Sequence, residues 1–176
     1  MKNTVWKYGL ISGGVLAFFM ILTFSIQGRG EEIDFSGGML LGYVTMIISL
    51  SMVFVGVKSY RDNHLAGSIS FDQSFKTGLL IALIASCIYV ITWMLYSHFL
   101  APDFMDQYYK YNLEQLQNSG ADEEEISRQI ALMEKYKEMY KNPFLKTGMT
   151  FLEIFPVGLI VALITAFILK KKTAAV

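Results

Sequence analysis

Cysteine and charge are both scarce in this chain, and each scarcity excludes a class of structure. The single cysteine, Cys87, excludes a disulfide within the chain and a metal site built from several cysteines. Charged residues make up 17% and hydrophobic residues 53% of the 176 residues, which is too apolar for a soluble domain of this size. The charges are confined to the gaps between four apolar segments. The composition therefore predicts a protein that lives in a membrane.

Each of the four apolar segments has the length of a helix that crosses a bilayer. We predict spans at about residues 8–26, 39–57, 77–101 and 147–169. At about 1.5 Å per residue, the shortest of these segments just crosses a hydrocarbon core of about 30 Å. The predicted fold is an all-α integral membrane protein whose four transmembrane helices form one bundle, with residues 1–176 as a single membrane domain.

Cap residues predict where several helices begin. Ser70 precedes Gln73 by three residues and is a candidate N-cap of the third span, and Asn142 followed by Pro143 has the same role for the fourth. In the polar segment between these two spans, Asp122 precedes Glu125 in the same way. That segment is predicted to be a helical hairpin at about residues 103–141. Its seam would be formed by apolar stripes at helical spacing: Met105, Tyr109, Leu113 and Leu116 on the first helix, and Ile126, Ile130 and Met133 on the second.

The cations predict an orientation. Eight lie near the two termini or between the second and third spans, whereas the loop after the first span has only Arg29. The hairpin has six cations but also nine acids. We therefore predict a multi-pass protein of the cell inner membrane. Both termini are expected in the cytoplasm, and the hairpin at about residues 102–146 in the periplasm.

Three sequence blocks resemble a known family. They are WKYGLISGG at residues 6–14, GSISFDQSFKTGLLIALIAS at 67–86 and FPVGLIVALITAFILKKK at 155–172. Together they resemble the family of small bacterial four-span membrane proteins called domain of unknown function 4199. The resemblance implies four spans, a polar insertion before the last span and an inner-membrane location in Gram-negative bacteria. It implies no activity and no catalytic residues.

Small residues recur at spacings that let helix backbones approach each other closely. They favour packing within one four-helix bundle, although a seam between two copies of the chain is an alternative. The residues are Gly9 and Gly13 in the first span, Gly38 and Gly42 in the second, Gly78 and Ala82 in the third, and Gly158 and Ala162 in the fourth.

Glu153 is the only acid inside an apolar segment, and it lies three residues before Pro156. An unpaired charge in hydrocarbon costs on the order of 3 kcal/mol, so Glu153 should face the protein. His98 is the expected partner, with Tyr96 beside it. Pro156 leaves the carbonyl of Leu152 without its helical donor and is a candidate kink. The site is either a proton or cation site or an acid tied down near the headgroups.

A metal site can be drawn from His98, Asp103, Asp106 and Glu153. Their spacing matches no dedicated zinc motif, and aspartates at a helix start are explained by capping and the helix dipole. We predict no metal and no cofactor. No catalytic or nucleotide-binding motif is present, so we predict that the chain is not an enzyme. Lysines at 170–172 after a span are typical of a topology anchor and not of a nucleic-acid site.

The first functional hypothesis is a non-catalytic membrane component, embedded in the lipid bilayer, whose outer hairpin contacts another membrane protein or a second copy of the chain. Its candidate contact residues are Phe104, Tyr108 and Tyr111, which fall beside the predicted seam stripe. The alternative is a small transporter or channel subunit that uses Glu153 as a proton or cation site. Such a protein needs a polar path inward from Glu153, for which the few candidates are Thr45, Ser49, Ser51, Ser86 and Thr92.

Overall fold

Helices account for the regular structure of the chain, as expected where lipid offers no hydrogen bonds to the backbone. The structure is a computed structural model that describes residues 1–27 and 35–171. Within these ranges it contains six helices and no strand. They are α1 (Lys2–Gln27), α2 (Phe35–His64), α3 (Phe71–Phe99), α4 (Phe104–Gln117), α5 (Glu123–Lys141) and α6 (Pro143–Leu169).

Three of these helices begin at the caps that the sequence predicts. The Ser70 hydroxyl accepts a hydrogen bond from the Gln73 backbone N–H at 3.3 Å, and the Asp122 carboxylate accepts one from Glu125 at 2.8 Å. The Asn142 side chain accepts from Phe144 at 2.9 Å, with Pro143 at the first helical position. These bonds satisfy backbone donors that have no partner within the helix. The predicted starts of α3, α5 and α6 are thus confirmed.

Four of the helices, α1, α2, α3 and α6, are long and apolar enough to cross a membrane. The prediction of an all-helical, multi-pass membrane protein is confirmed to that extent. The helices extend past the apolar segments that predicted them, because polar residues at the segment ends continue the helical turn. In α2, for example, the helix runs on through Lys58 and Arg61 to His64.

The long helices pack around α3, which contacts α1, α2 and α6. Ile84 and Ile88 of α3 lie against Gly9 and Gly13 of α1, so these two helices run in the same direction. Helix α6 runs opposite to α3, because Gly158 faces Ala82 and Ala162 faces Gly78. The Ser12 hydroxyl of α1 donates to the Ser49 carbonyl of α2 at 2.8 Å.

The core lies where α2, α3 and α6 meet. Its most buried side chains are Leu50, Val53, Ile81 and Ile154, each with no exposed surface. The shorter helices α4 and α5 contact each other, and α5 also contacts α6. An ion pair between Lys137 and Asp106 joins α5 to α4, and hydrogen bonding to this carboxylate raises the pKa of Lys137.

The small residues predicted to pack helices divide into two groups. Gly9, Gly13, Gly78, Ala82, Gly158 and Ala162 all lie at the close contacts described above. Gly42 is different, because a Cβ added there would meet no atom within 4 Å, and both Gly38 and Gly42 line a cavity. The expected packing role is therefore wrong for Gly42, whereas for Gly38 it stays a prediction.

Gly13 and Gly14 give a matched test of this packing. A Cβ on Gly13 would lie 2.5 Å from Ile88 Cδ1 and 2.8 Å from Ile88 Cβ, whereas a Cβ on Gly14 would meet nothing within 4 Å. Gly13→Ala should therefore destabilise the protein by about 1–3 kcal/mol through overpacking. Gly14→Ala should change stability by less than about 0.5 kcal/mol. Melting in detergent measures both, and equal melting temperatures would contradict the α1–α3 contact.

Candidate functional site

The half of the fold that includes α4 and α5 contains a large cavity, to which all six described helices contribute. Its volume is about 630 Å³, within the range of sites that hold small molecules, and it is partly open. Most of its lining is apolar or aromatic. The lining includes Leu16, Met20 and Phe24 of α1; Tyr43, Thr45 and Met46 of α2; Tyr89 and Trp93 of α3; Phe104, Tyr108, Tyr109 and Asn112 of α4; Gln129, Met133, Tyr136 and Tyr140 of α5; and Met149, Thr150 and Glu153 of α6.

The inner end of the cavity is formed by Leu16, Met46, Tyr89 and Glu153. Each of these is the lining residue that lies deepest on its own long helix. Glu153 follows the start of α6 by ten residues, or about 15 Å at 1.5 Å per residue. The next residue, Ile154, is fully buried in the core. The floor of the cavity therefore lies near the middle of the long helices, directly above the tight packing of α2, α3 and α6.

Glu153 differs from several other polar groups of the cavity wall. Four lining side chains donate hydrogen bonds to acceptors on their own helices: Thr45, Asn112, Gln129 and Thr150. Glu153 is exposed, and within residues 1–27 and 35–171 its carboxylate has neither a hydrogen bond nor an ion pair. The carboxylate therefore keeps its full capacity to bind a group that occupies the cavity.

An aromatic cluster joins the roof of the cavity to the long helices. Trp93 of α3 lies at its centre and is 6% exposed. Phe104 of α4 meets the Trp93 ring edge-on at 4.8 Å, and Phe24 of α1 lies 5.2 Å from it. Met20 and Tyr96 complete the buried part of the cluster. Edge-on contacts of this kind add to the stability gained from burying the rings themselves.

A hydrogen bond connects this cluster to α5. The indole Nε1–H of Trp93 donates to the Tyr140 hydroxyl, across 47 residues of sequence. Burial raises the pKa of Tyr140, and the bond from Trp93 only partly opposes this effect. Tyr140 therefore stays neutral at physiological pH. On the other side, the Lys146 ammonium lies 4.8 Å from the centre of the Tyr140 ring.

The predicted pairing of Glu153 with His98 is wrong. His98 is exposed near the end of α3 and its ring packs against Phe99, about two and a half turns beyond Tyr89 on the cavity floor. Tyr96 is buried in the aromatic cluster and does not line the cavity. In the described part of the chain, no three His, Cys, Asp or Glu side chains are placed to hold a metal ion, so His98, Asp103, Asp106 and Glu153 are not brought together.

Pro156 lies one turn below Glu153. Helix α6 continues through it from Pro143 to Leu169. Because proline has no N–H, the carbonyl of Leu152 lacks its helical donor at this point. The proline thus places an unusually polar stretch of backbone next to the one carboxylate of the cavity wall.

The aromatic residues predicted to contact a partner lie elsewhere than expected. Phe104 and Tyr108 stack on each other at 6.2 Å and line the cavity, so they face into the fold. Tyr109 and Met133, which were assigned to the hairpin seam, line the same cavity. Tyr111 is half-buried. The predicted seam residues and the predicted contact residues thus share one broad face of the short helices. The reason is that α4 and α5 cover the cavity as well as each other. A partner contact through these residues stays a prediction.

Comparison with known proteins identifies the family. The family model described as "Protein of unknown function (DUF4199)" matches residues 7–171, which is nearly the whole chain. The chain belongs to the DUF4199 family. No curated protein and no solved structure matches it. The resemblance seen in the three sequence blocks is thus confirmed, and the cavity is a feature of a DUF4199 protein.

Three residues of this DUF4199 site escaped the sequence analysis. Tyr43 and Tyr89 lie inside apolar segments, where a phenol is unusual, and both line the cavity. That placement was a usable signal. Tyr140 carried no comparable signal, because its bond to Trp93 depends on how α5 lies against α3.

The bond between Trp93 and Tyr140 can be tested by deleting one hydroxyl. Tyr140→Phe leaves a buried indole N–H without its acceptor, at a cost of about 1–3 kcal/mol. We expect amide hydrogen exchange in α5 of the DUF4199 protein to become about tenfold faster in nanodiscs, which corresponds to about 1.4 kcal/mol. Tyr136→Phe is the matched control, because Tyr136 is on the same helix and 51% exposed. Equal exchange in the two variants would show that the bond does not hold α5.

Proposed function

We propose that this DUF4199 protein is a non-catalytic component of the inner membrane that binds an apolar or amphiphilic molecule in the cavity. In this proposal the four spans form one bundle, and α4 and α5 form a periplasmic hairpin over it. The observation that carries the proposal is the cavity of about 630 Å³, with walls from every helix and a mainly apolar, aromatic lining. A space of this size beside lipid is a site for a molecule that prefers hydrocarbon to water.

The packing below the cavity favours a binding site over an open pore. Leu50, Val53, Ile81 and Ile154 have no exposed surface, and Gly78 and Gly158 draw α3 and α6 together at the same depth. The candidate polar path is broken as well. Ser51 and Thr92 donate to their own helices, and Ser49 and Ser86 are buried hydroxyls without a hydrogen-bond partner among the described residues.

The proposed orientation places the cavity toward the periplasmic side of the membrane. The backbone N–H of Lys171 donates to the carbonyl of Ile69 at 3.2 Å, and the Lys170 ammonium lies 5.8 Å from the Phe71 ring. The end of α6 and the loop before α3 are thus neighbours, and both carry cations, as cytoplasmic segments do. Arg29 and Lys172, which also entered the charge count, lie outside the described residues.

Quenching of tryptophan fluorescence tests the proposed binding. Trp6 is 52% exposed at the far end of α1, so Trp6→Phe leaves Trp93 as the single tryptophan of the chain. In phosphatidylcholine nanodiscs, 10-bromodecan-1-ol should quench Trp93 with saturation, since bromine quenches on contact and the ring lies on the cavity wall. Quenching that only rises linearly with bilayer concentration would show that the probe stays in the lipid.

A filled cavity provides the control. Gly42 lines the cavity and has open space where a side chain would start, so Gly42→Phe should occupy the space and abolish the saturable quenching. Gly14→Phe adds the same side chain at another open position, outside the cavity, and should leave the quenching unchanged. Both variants should melt within a few degrees of the parent in detergent. Saturable quenching that survives Gly42→Phe would contradict binding in this cavity.

The orientation has its own test. Single cysteines at Gly120 and at Asn63, in a Cys87→Ser background, lie in the turn after α4 and near the end of α2. An impermeant thiol reagent applied to intact spheroplasts should label the first position and spare the second. The reverse pattern would invert the proposed orientation, whereas the binding measurement does not depend on it.

Contact of the hairpin with another membrane protein or a second copy is the second candidate function. Leu132 of α5 is 45% exposed outside the long apolar helices, which favours such a contact. The transporter alternative keeps Glu153 as its proton or cation site. It requires the apolar layer around Leu50 and Ile81 to open during transport.

A further inference from the structure

We propose that the molecule bound in the cavity is a cationic amphiphile, whose ammonium group pairs with Glu153 while its apolar part lies among the aromatic side chains. This inference rests on the proposed function and specifies the chemical class of the ligand. It follows from three features of the site: the sign of the charge on its wall, the nature of its rings and the position of Glu153 at its inner end.

The described part of the cavity wall carries one carboxyl group and no basic group. Glu153 is the acid among the lining residues, and no lysine, arginine or histidine lines the cavity in residues 1–27 and 35–171. An ionised carboxylate surrounded by apolar side chains is costly unless a cation lies beside it. A ligand that brings an ammonium group supplies that cation. An anionic ligand would instead add a second like charge in the same low-dielectric space.

The nearest lysines do not supply the missing charge. Lys146 lies two turns before Glu153 on α6, but its ammonium is placed over the Tyr140 ring at 4.8 Å. Lys137 is paired with Asp106 and lies 5.1 Å from the centre of the Tyr109 ring. Neither forms an ion pair with Glu153. Among the described residues, no cation is therefore paired with the carboxylate, and a cationic group of the ligand would be its partner.

The aromatic rings of the wall suit the same ligand class. The negative face of a phenol or indole ring attracts a cation, and the attraction is strongest where water is excluded. Two of the lining rings, Tyr109 and Tyr140, already hold lysine ammonium groups in this protein. Tyr89 lies with Glu153 at the inner end of the cavity, so an ammonium group there would meet a ring as well as a carboxylate.

The apolar remainder of the wall explains why the ligand needs an apolar body. Between the floor and the roof the cavity is lined by Met20, Phe24, Met133 and Met149, which offer dispersion contacts and few hydrogen bonds. A small hydrated cation would lose its water without gaining enough polar partners. A chain or ring system attached to the ammonium group fills this space and displaces water from it.

Three brominated probes with the same tail separate the alternatives. They are 10-bromodecyltrimethylammonium, 10-bromodecan-1-ol and 10-bromodecanoate, and each is titrated into nanodiscs that hold the Trp6→Phe protein. Concentrations are expressed as bilayer-bound probe, so differences in partitioning cancel. The cationic probe should saturate the quenching of Trp93 at about tenfold lower concentration than the neutral one, and the anionic probe should need the highest concentration.

Glu153→Gln tests the residue itself, because the amide keeps the shape of the side chain and removes its charge. The cationic preference should fall to about twofold or less, while the neutral probe should bind as before. Glu134→Gln removes an exposed acid on α5 outside the cavity and should keep the full preference.

The outcomes distinguish the two proposals. If no probe saturates, or if Gly42→Phe leaves all three titrations unchanged, the cavity does not bind such molecules and both proposals fail. If the probes saturate with equal strength, or if the preference survives Glu153→Gln, binding in the cavity stands and the cationic ligand class is overturned.

Discussion

The close approach of α3 to its neighbours at glycine and alanine is the contact on which the rest of the structure depends. Without a hydrophobic force between helices in lipid, close packing and hydrogen bonds must hold them together. At Gly13, Gly78 and Gly158 the backbones come so near that even a methyl group would crowd the facing side chain. This close packing holds one half of the long helices together. In the other half, near α4 and α5, the long helices diverge.

The divergence creates the cavity, and the aromatic cluster determines its shape. A Cβ added at Gly42 of α2 would meet no atom within 4 Å, whereas Trp93 on α3 contacts rings from α1 and α4 and bonds to α5. The short amphipathic helices therefore turn their aromatic face inward, over a space that the long helices do not fill. The tightly packed half and the half that contains the cavity therefore both result from how small and large residues are distributed along the long helices.

Glu153 lies where the packed half meets the cavity, so its carboxylate can contact a molecule in the cavity. Directly below it, Ile154 belongs to a core that excludes water, and the nearby Thr45 and Thr150 bond within their own helices. An ionised Glu153 is not paired with a cation among the described residues, and its side chain is not buried by packing. Such a group acts on whatever enters the cavity, because in a low dielectric its field is weakly screened.

The amino-acid sequence was enough to predict the helices, three of their caps and a membrane location. Apolar length, the hydrogen bonds of Ser70, Asp122 and Asn142, and the small residues at Gly13 and Gly158 act within a few residues of the chain, so local patterns suffice to find them. The singling out of Glu153 also came from the sequence, since an acid inside an apolar segment is visible without a fold.

The surroundings of that acid depend on how the helices pack against one another. His98 was chosen as its partner from nearness to a membrane edge, but the register of α3 against α6 brings Tyr89 to the cavity floor instead. Phe104 and Tyr108 were assigned to the outside because the hairpin seam was complete without them, yet the cavity gives α4 a second surface to cover. Both differences in placement have one cause. Helix register and the direction of a helix face are set by contacts across many tens of residues, as between Trp93 and Tyr140, and no local pattern records them.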